Sequence, residues 1–218
     1  MKTDNDDKII HILINIIIVI LVGIGLYMTV TYRSAYMEFQ MRGAMSLRYF
    51  TVQSNLFAGV VALIALFYQG KATKVMKLMS ATATGLTFAV VLFFLGPLYG
   101  HWRMYKNANL FFHLIVPLLS MIDYVLLSDA PKKMKWRVLS AVPTVVYGLA
   151  YVLNILINGM GGRYPNNNDF YRFLRWGWGV AILIYAAIVL LSFGIACLLF
   201  EINRKVGTKR KIVSETCL

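Results

Sequence analysis

The sequence predicts an all-α membrane protein, a single bundle of six transmembrane helices that occupies residues 1–218. Composition is the first reason, because 59% of the residues are hydrophobic, only 14% are charged, and the mean hydropathy is +0.67. An average soluble domain carries about 25% charged residues, so most of this chain is expected to lie in lipid. Length is the second reason, because six apolar segments reach the roughly 20 residues that a helix needs to cross a bilayer.

The first apolar segment covers residues 9–30 and has no small-residue cleavage site before Tyr32, so we expect a retained helix and not a signal peptide. The loops between the segments are short, and none could form a soluble core, which predicts one domain. Aromatic residues, which favour the lipid interface, stand near the predicted helix ends. The other five segments are 50–69, 78–99, 108–128, 138–157 and 177–200.

The basic residues predict the orientation of the helices. The formal net charge is +13, but the 22 Lys and Arg residues stand between apolar runs and not on one solvated face, which argues against a nucleic-acid partner. Fourteen of them fall on one side, and the eight on the other side are Arg33, Arg42, Arg48, Arg103, Lys106, Arg163, Arg172 and Arg175. Basic residues resist translocation, so we predict a multi-pass protein of the cell membrane with both termini in the cytoplasm. The cytoplasmic set is Lys2, Lys8, Lys71, Lys74, Lys77, Lys132, Lys133, Lys135, Arg137, Arg204, Lys205, Lys209, Arg210 and Lys211.

The two cysteines, Cys197 and Cys217, provide neither a disulfide framework nor the spacing of metal ligands. We therefore expect no metal and no cofactor, and membrane lipids as the main partners of the chain.

Polar groups inside a span cost free energy unless they are paired or face a cavity, so they are where function is sought first. Three predicted helices carry such groups at helical spacing, which places each set on one face. Three polar stripes predict one shared interior. Their members are Thr51, Ser54 and Asn55 on the second helix, His113, Pro117, Ser120 and Tyr124 on the fourth, and Tyr147, Tyr151, Asn154 and Asn158 on the fifth.

Thr51 begins its helix, and His113 lies about one and a half turns inside the same side of the membrane, so the two residues are expected at similar depth. A hydroxyl and an imidazole at one depth can act as a nucleophile and its base. The alternative is structural, because Thr in a membrane helix commonly bonds to its own backbone and a lone His commonly bridges helices.

Two further features have two interpretations each. Asp123 lies off the stripe of its helix, where it would either handle protons or reach the headgroups and pair with Lys132 or Lys133. The fifth loop, which includes residues 158–168, is rich in Gly and Asn and would be either a lid over the shared interior or a connector.

Several short motifs resemble the family of androgen-induced and androgen-dependent six-helix membrane proteins and their bacterial six-pass relatives. The matching residues are Arg48-Tyr49-Phe50-Thr51, His113 followed by Pro117 and Asp123, and Tyr164-Pro165. The animal members are threonine hydrolases that cleave fatty acid esters of hydroxy fatty acids. The resemblance implies that Thr51 is the nucleophile, that His113 is its base and that the substrate is a fatty acyl ester. The pattern departs from the animal one around His113, where Pro117 comes one residue early.

If the chain is such a hydrolase, helix geometry offers side-chain amides that could support the oxyanion or position the substrate. These are Gln53, Asn55, Asn154 and Asn158. Two other functions fit the same sequence: a transporter for a small polar or cationic solute, which the stripe on the fifth helix and Asp123 favour, and a scaffold whose polar stripes only hold the bundle together.

Overall fold

The computed structural model describes residues 4–31, 43–128 and 133–216, and these residues contain helices but no β-strand. Six helices are long and apolar enough to cross a membrane, so the predicted all-α fold of six transmembrane helices is confirmed. They are α1 (Asp4–Thr31), α2 (Phe50–Phe67), α3 (Lys71–Tyr99), α4 (Ala108–Leu127), α5 (Lys135–Asn158) and α6 (Gly177–Thr216). Short helical turns precede α2 at Gly43–Arg48, α4 at His101–Met104 and α6 at Phe173–Trp176.

The start of α3 differs from the prediction by seven residues. The helix begins at Lys71, directly after Gly70, and not at residue 78. Lysines lower the hydropathy of this segment, yet Lys is a good helix former, so the three lysines extend the helix. Lys77 differs from Lys71 and Lys74 because it is also buried, so it is not a loop charge, and 13 basic residues, not 14, remain on the predicted cytoplasmic side.

The helix at the centre of the bundle is α3. In its most apolar stretch 56% of the residues are buried, against 17% in that of α6. Small residues line its buried face, among them Ala81, Ala83 and Gly85, and small residues allow close approach of neighbouring helices. The hydroxyl of Thr84 donates to the Ser80 carbonyl at 2.9 Å, which satisfies this buried group within the helix.

Two glycines set the contacts of α1. A Cβ atom on Gly59 would lie 2.9 Å from the Val22 side chain, and one on Gly25 would lie 2.6 Å from the ring of Phe112. These glycines therefore let α1 pack directly on α2 and α4. Ile18 joins Val22 in a buried apolar cluster with residues of both neighbours.

A π-helical turn, which holds one extra residue, interrupts α4 at Phe111–Ile115, and a second one ends it at Asp123–Leu127. In the first turn the Val116 N–H donates to the Phe111 carbonyl. The same register would pair the Phe112 carbonyl with residue 117, which is a proline without an N–H. The Phe112 carbonyl is thus left for a side-chain donor, and such turns are frequent at functional sites.

The connections divide the bundle into two ends, named here by their basic residues. The lysine-rich end carries Lys8, Lys71, Lys74, Lys133 and Lys135, and the arginine-rich end carries Arg48, Arg103, Arg163, Arg172 and Arg175. Other residues named from the sequence, Lys2, Tyr32, Arg33, Arg42, Lys132 and Cys217, lie outside the described residues.

Candidate functional sites at the two ends of the bundle

Thr51 lies in the first turn of α2, at the arginine-rich end. The preceding residue, Phe50, has its backbone N–H bonded to the hydroxyl of Tyr171 at 2.8 Å, which caps the helix in place of a side chain at Tyr49. Thr51 is half-buried. Its carbonyl accepts hydrogen bonds from the side chains of Ser54 at 3.1 Å and Asn55 at 2.7 Å. The three residues of the predicted polar face of α2 are therefore bonded to one another within the first helical turns.

Asn55 connects the Thr51 turn to α4. Its side-chain nitrogen donates to the Thr51 carbonyl at 2.7 Å and to the Phe112 carbonyl at 2.9 Å. Both amide hydrogens are then in use, so Asn55 positions helices in this structure and has no hydrogen left for an oxyanion. Its Oδ1 atom is completely buried and has no hydrogen-bond partner, and such an acceptor is costly unless something binds to it.

The ring of His113 has a defined tautomer. Its Nδ1 atom lies 2.7 Å from the carbonyl oxygen of Met104, and the side chain is buried. Because a carbonyl only accepts, Nδ1 carries the hydrogen and Nε2 presents the lone pair. His113 is therefore held in the form that accepts a proton at Nε2.

The structure brings together only part of the predicted site. Asn55 joins the turns that carry Thr51 and His113, but among the described residues no hydrogen bond links the Thr51 hydroxyl to the His113 ring. The exposed Gln53 donates to the Leu47 carbonyl at 3.2 Å.

The two asparagines at the end of the α5 stripe lie elsewhere. Asn158 donates to Asn154 at 2.8 Å in an exposed pair, and in the described part of the chain neither side chain is bonded to Thr51 or His113. Of the four predicted amides, only Asn55 lies beside the Thr51 and His113 turns.

The fifth loop covers the start of α2. Asp169 accepts from the Tyr151 hydroxyl at 2.6 Å and from the backbone N–H groups of Phe173 and Leu174, so this carboxylate fixes the loop to α5 and caps the next turn. The Arg48 guanidinium donates to Asn168 at 2.9 Å. The loop is thus bonded to both α2 and α5.

Tyr171 is the residue of the fifth loop whose hydroxyl bonds to the Phe50 N–H, one residue before Thr51. Loss of water around its hydroxyl raises the pKa of Tyr171 to about 12, although hydrogen bonds from Tyr147 and from the Phe50 N–H lower it. At neutral pH the hydroxyl is uncharged. Its oxygen therefore remains a neutral acceptor for the Phe50 N–H.

A second polar cluster lies at the lysine-rich end, between α1, α3 and α4. Asp123 is 3% exposed and forms an ion pair with Lys77, while its Oδ1 atom lies 2.7 Å from Nδ1 of His11. Asn15 adds bonds to the His11 carbonyl at 2.6 Å and to Asp123 at 3.3 Å. The expectation that Asp123 reaches the headgroups or pairs with Lys133 is wrong, because its carboxylate is buried and is paired with Lys77 and His11 inside the bundle.

Sequence reasoning missed three members of this cluster. Lys77 was assigned to a loop, and His11 and Asn15 were not singled out. A signal was present, since His11 and Asn15 stand four residues apart in an otherwise apolar run and so share a helix face.

Two cavities adjoin this cluster. The larger measures about 110 Å³ and the smaller about 10 Å³, and Lys77 lines both. The larger is also lined by His11, Gln69, Thr73, Lys74 and Ser128, and the smaller by Asn15, Ser80, Ser120 and Asp123. The small cavity has room for about one water molecule.

The fold defines the class of the protein, a multi-pass integral membrane protein with six transmembrane helices. Comparisons with protein-family models, with curated proteins and with solved structures find no match to the chain.

Proposed function

We propose that the protein is an intramembrane hydrolase of fatty acyl esters, with Thr51 as the nucleophile and His113 as its base. The observation that supports this most is the Asn55 side chain, which bonds the Thr51 turn to the turn that carries His113. The second support is the His113 tautomer, which leaves Nε2 as the proton acceptor. The resemblance of the Arg48–Thr51 and His113 motifs to threonine hydrolases points the same way.

The reaction would proceed through an acyl-enzyme. As Oγ of Thr51 attacks the ester carbonyl, its proton moves to Nε2 of His113. Collapse of the tetrahedral intermediate breaks the ester bond, and His113 returns the proton to the leaving alcohol. Water then attacks the acyl-Thr51 ester with His113 as base, which releases the fatty acid and restores the Thr51 hydroxyl.

The start of α2 would stabilise the charge that forms on the carbonyl oxygen. The N-terminus of a helix carries a partial positive charge and favours an anion nearby, and Thr51 lies in the first turn. The unpartnered Oδ1 atom of Asn55 can accept a hydrogen bond from the attacking water or from the Thr51 hydroxyl. Asn55 is a positioning residue in this scheme.

The proposal places Thr51 near the lipid ester groups of the outer leaflet. With the lysine-rich end in the cytoplasm, the first turn of α2 lies at the outer interface, covered by the Tyr171 segment of the fifth loop. Substrate would then enter from the lipid with its acyl chain along the apolar helix surfaces.

The test is labelling of the purified, detergent-solubilised protein with a fluorophosphonate probe, which reacts with activated hydroxyls. We expect Thr51→Ala and His113→Ala to lose labelling, and Thr51→Ser, which keeps a hydroxyl, to retain part of it. Thr31→Ala and His101→Ala are matched controls, because the Thr31 hydroxyl bonds its own helix and His101 is exposed. Fatty acid release from an ester of a hydroxy fatty acid should follow the same order.

Absent labelling, or labelling that both Thr51→Ala and His113→Ala leave intact, would contradict the hydrolase. The transporter and the scaffold would then be the remaining interpretations, and the buried Lys77–Asp123 pair would favour the transporter.

A further inference from the structure

We propose that His11, Lys77 and Asp123 form a proton-binding site inside the bundle that exchanges protons with the lysine-rich end. The three residues come from α1, α3 and α4 and are 8%, 5% and 3% exposed. The proposal does not depend on the hydrolase, because Thr51 and His113 belong to the opposite end.

The three side chains form a closed ring of contacts. His11 donates from Nδ1 to Oδ1 of Asp123 at 2.7 Å, and Lys77 donates to Oδ2 of the same carboxylate. The Lys77 ammonium also lies 3.3 Å from Nε2 of His11. It lies 3.4 Å from Nδ1 of the same ring, so the ammonium contacts both ring nitrogens. The tautomer follows instead from the Asp123 contact, because a neutral imidazole that donates from Nδ1 keeps its lone pair on Nε2. The arrangement that we propose is a neutral His11 between a charged Lys77 and a charged Asp123.

The cluster of His11, Lys77 and Asp123 can bind one more proton only if one of its contacts breaks. The three groups together carry no net charge in this geometry. A proton added at Nε2 of His11 would place an N–H⁺ against the Lys77 ammonium, and a proton added to Asp123 would take an acceptor from Lys77 or His11. In the first case uptake loosens α1 from α3, and in the second it loosens α4 from α3 or from α1, so binding of a proton is linked to helix packing.

Access to the ring comes from the cavity of about 110 Å³, which His11 and Lys77 both line. Polar walls of this kind hold water, which would carry protons between the ring and the lysine-rich end. On the far side, the cavity of about 10 Å³ adjoins Asp123 and Ser120. The Ser120 hydroxyl is buried and has no partner, so a single water there would complete its hydrogen bonding.

A structural role alone explains the cluster poorly. Apolar residues of similar size hold helices together as well as a buried ion pair does, or better. Ionisable groups inside a membrane are expensive, and they commonly mark proton or ion pathways. Three ionisable groups in one buried ring with a polar cavity beside them fit a site that gains and loses protons.

Other titratable groups near the ring come from every neighbouring helix except α2, which has none between Phe50 and Phe67. Asp7 precedes His11 by one turn on α1, Lys74 precedes Lys77 by three residues on α3, and Tyr124 follows Asp123 on α4. From α6, which packs on the end of α4, Glu201 is paired with Arg137 and Arg204. The test must therefore distinguish protonation of His11, Lys77 and Asp123 from protonation of these other groups.

The experiment is infrared difference spectroscopy of the full-length protein in lipid nanodiscs as the buffer steps between about pH 8 and about pH 5. We expect imidazole and carboxyl bands in the wild type. His11→Gln, which leaves the Lys77–Asp123 pair intact, should lose the imidazole band of the ring. The double variant Lys77→Gln/Asp123→Asn, which removes both charges and keeps side-chain size, should lose the carboxyl band as well.

The controls are His101→Gln and Glu201→Gln, which remove an exposed imidazole and a carboxylate outside the ring and should keep the ring bands. Ser128→Trp, which fills the larger cavity, should slow the appearance of the bands without removing them. Difference spectra that are identical in the wild type, in His11→Gln and in a folded double variant would overturn the proposal.

Discussion

The side-chain nitrogen of Asn55 lies 2.9 Å from the carbonyl oxygen of Phe112, and this contact joins the two helices that carry Thr51 and His113. Phe112 needs this donor because it lies in a π-helical turn whose register points its carbonyl at Pro117. The proline, the widened turn and the buried amide are therefore parts of one arrangement. Together they fix the depth of the His113 ring in the bundle relative to the first turn of α2.

Asn55→Leu tests this arrangement. Leucine fills a similar volume but leaves the buried Phe112 carbonyl without its donor, which should lower the free energy of unfolding by about 1–3 kcal/mol. Fluorophosphonate labelling at Thr51 should fall with it. Gln53→Leu is the control, because Gln53 is exposed on the same helix and should change neither thermal unfolding nor labelling. Equal behaviour of the two variants would show that Asn55 does not position the site.

Gly25→Ala tests how closely α1 packs on the π-helical turn of α4 that contains Phe112. The added Cβ would lie 2.6 Å from the Phe112 ring and would force it to move, at a cost of about 1–3 kcal/mol for an overpacked core. Gly23→Ala, two residues earlier, meets nothing within 4 Å and should be neutral or slightly stabilising because Ala favours helix. Thermal unfolding in detergent measures both. If Gly25→Ala were as stable as Gly23→Ala, the packing of α1 on Phe112 would be looser than described.

Hydropathy was sufficient to predict the six helices, because the length of an apolar run is a direct consequence of bilayer thickness. Helical spacing also identified buried positions correctly on α4, where His113, Ser120 and Tyr124 are all buried. The same spacing was less informative on α5. Tyr147 and Tyr151 bond to the α2 end and to the fifth loop, whereas Asn154 and Asn158 lie in an exposed pair.

The Lys77 cluster could not be predicted from local patterns. Hydropathy treats a lysine as the end of a span, and the carboxylate that compensates Lys77 lies 46 residues away in the chain. Asp123 was a second obstacle, because ideal spacing places it off the stripe of α4, yet its carboxylate is buried against His11 and Lys77. Both failures concern long-range contacts that a single sequence does not reveal.

Tyr171→Phe tests whether the fifth loop supports the nucleophile. The variant keeps the ring but removes the acceptor of the Phe50 N–H, so the first turn of α2 should lose about 1 kcal/mol of stability. We expect reduced labelling at Thr51 with little change in overall helix content by circular dichroism. Tyr27→Phe, at a tyrosine that is 70% exposed, provides the comparison. Unchanged labelling in Tyr171→Phe would mean that the loop only covers α2.

Lys77→Met tests the energetics of the buried pair. Removing one partner leaves the Asp123 charge uncompensated, which should destabilise the protein by about 3–5 kcal/mol. The double variant Lys77→Met/Asp123→Leu removes both charges and should recover most of this loss. Thermal unfolding of the wild type, of Lys77→Met, of Asp123→Leu and of the double variant forms a double-mutant cycle. A mild effect of Lys77→Met alone would show that Asp123 is hydrated or protonated without Lys77.

The orientation can be tested with single cysteines in a background without Cys197 and Cys217. Gln69 is exposed at the lysine-rich end, and Met160 is exposed at the arginine-rich end. Because basic residues stay on the cytoplasmic side, a membrane-impermeant thiol reagent added to intact cells should label Met160→Cys and not Gln69→Cys, and both after permeabilisation. The reverse pattern would place Thr51 at the cytoplasmic leaflet and would open the Lys77 cavity to the outside, which would exchange the sides from which ester substrate and protons are expected to arrive.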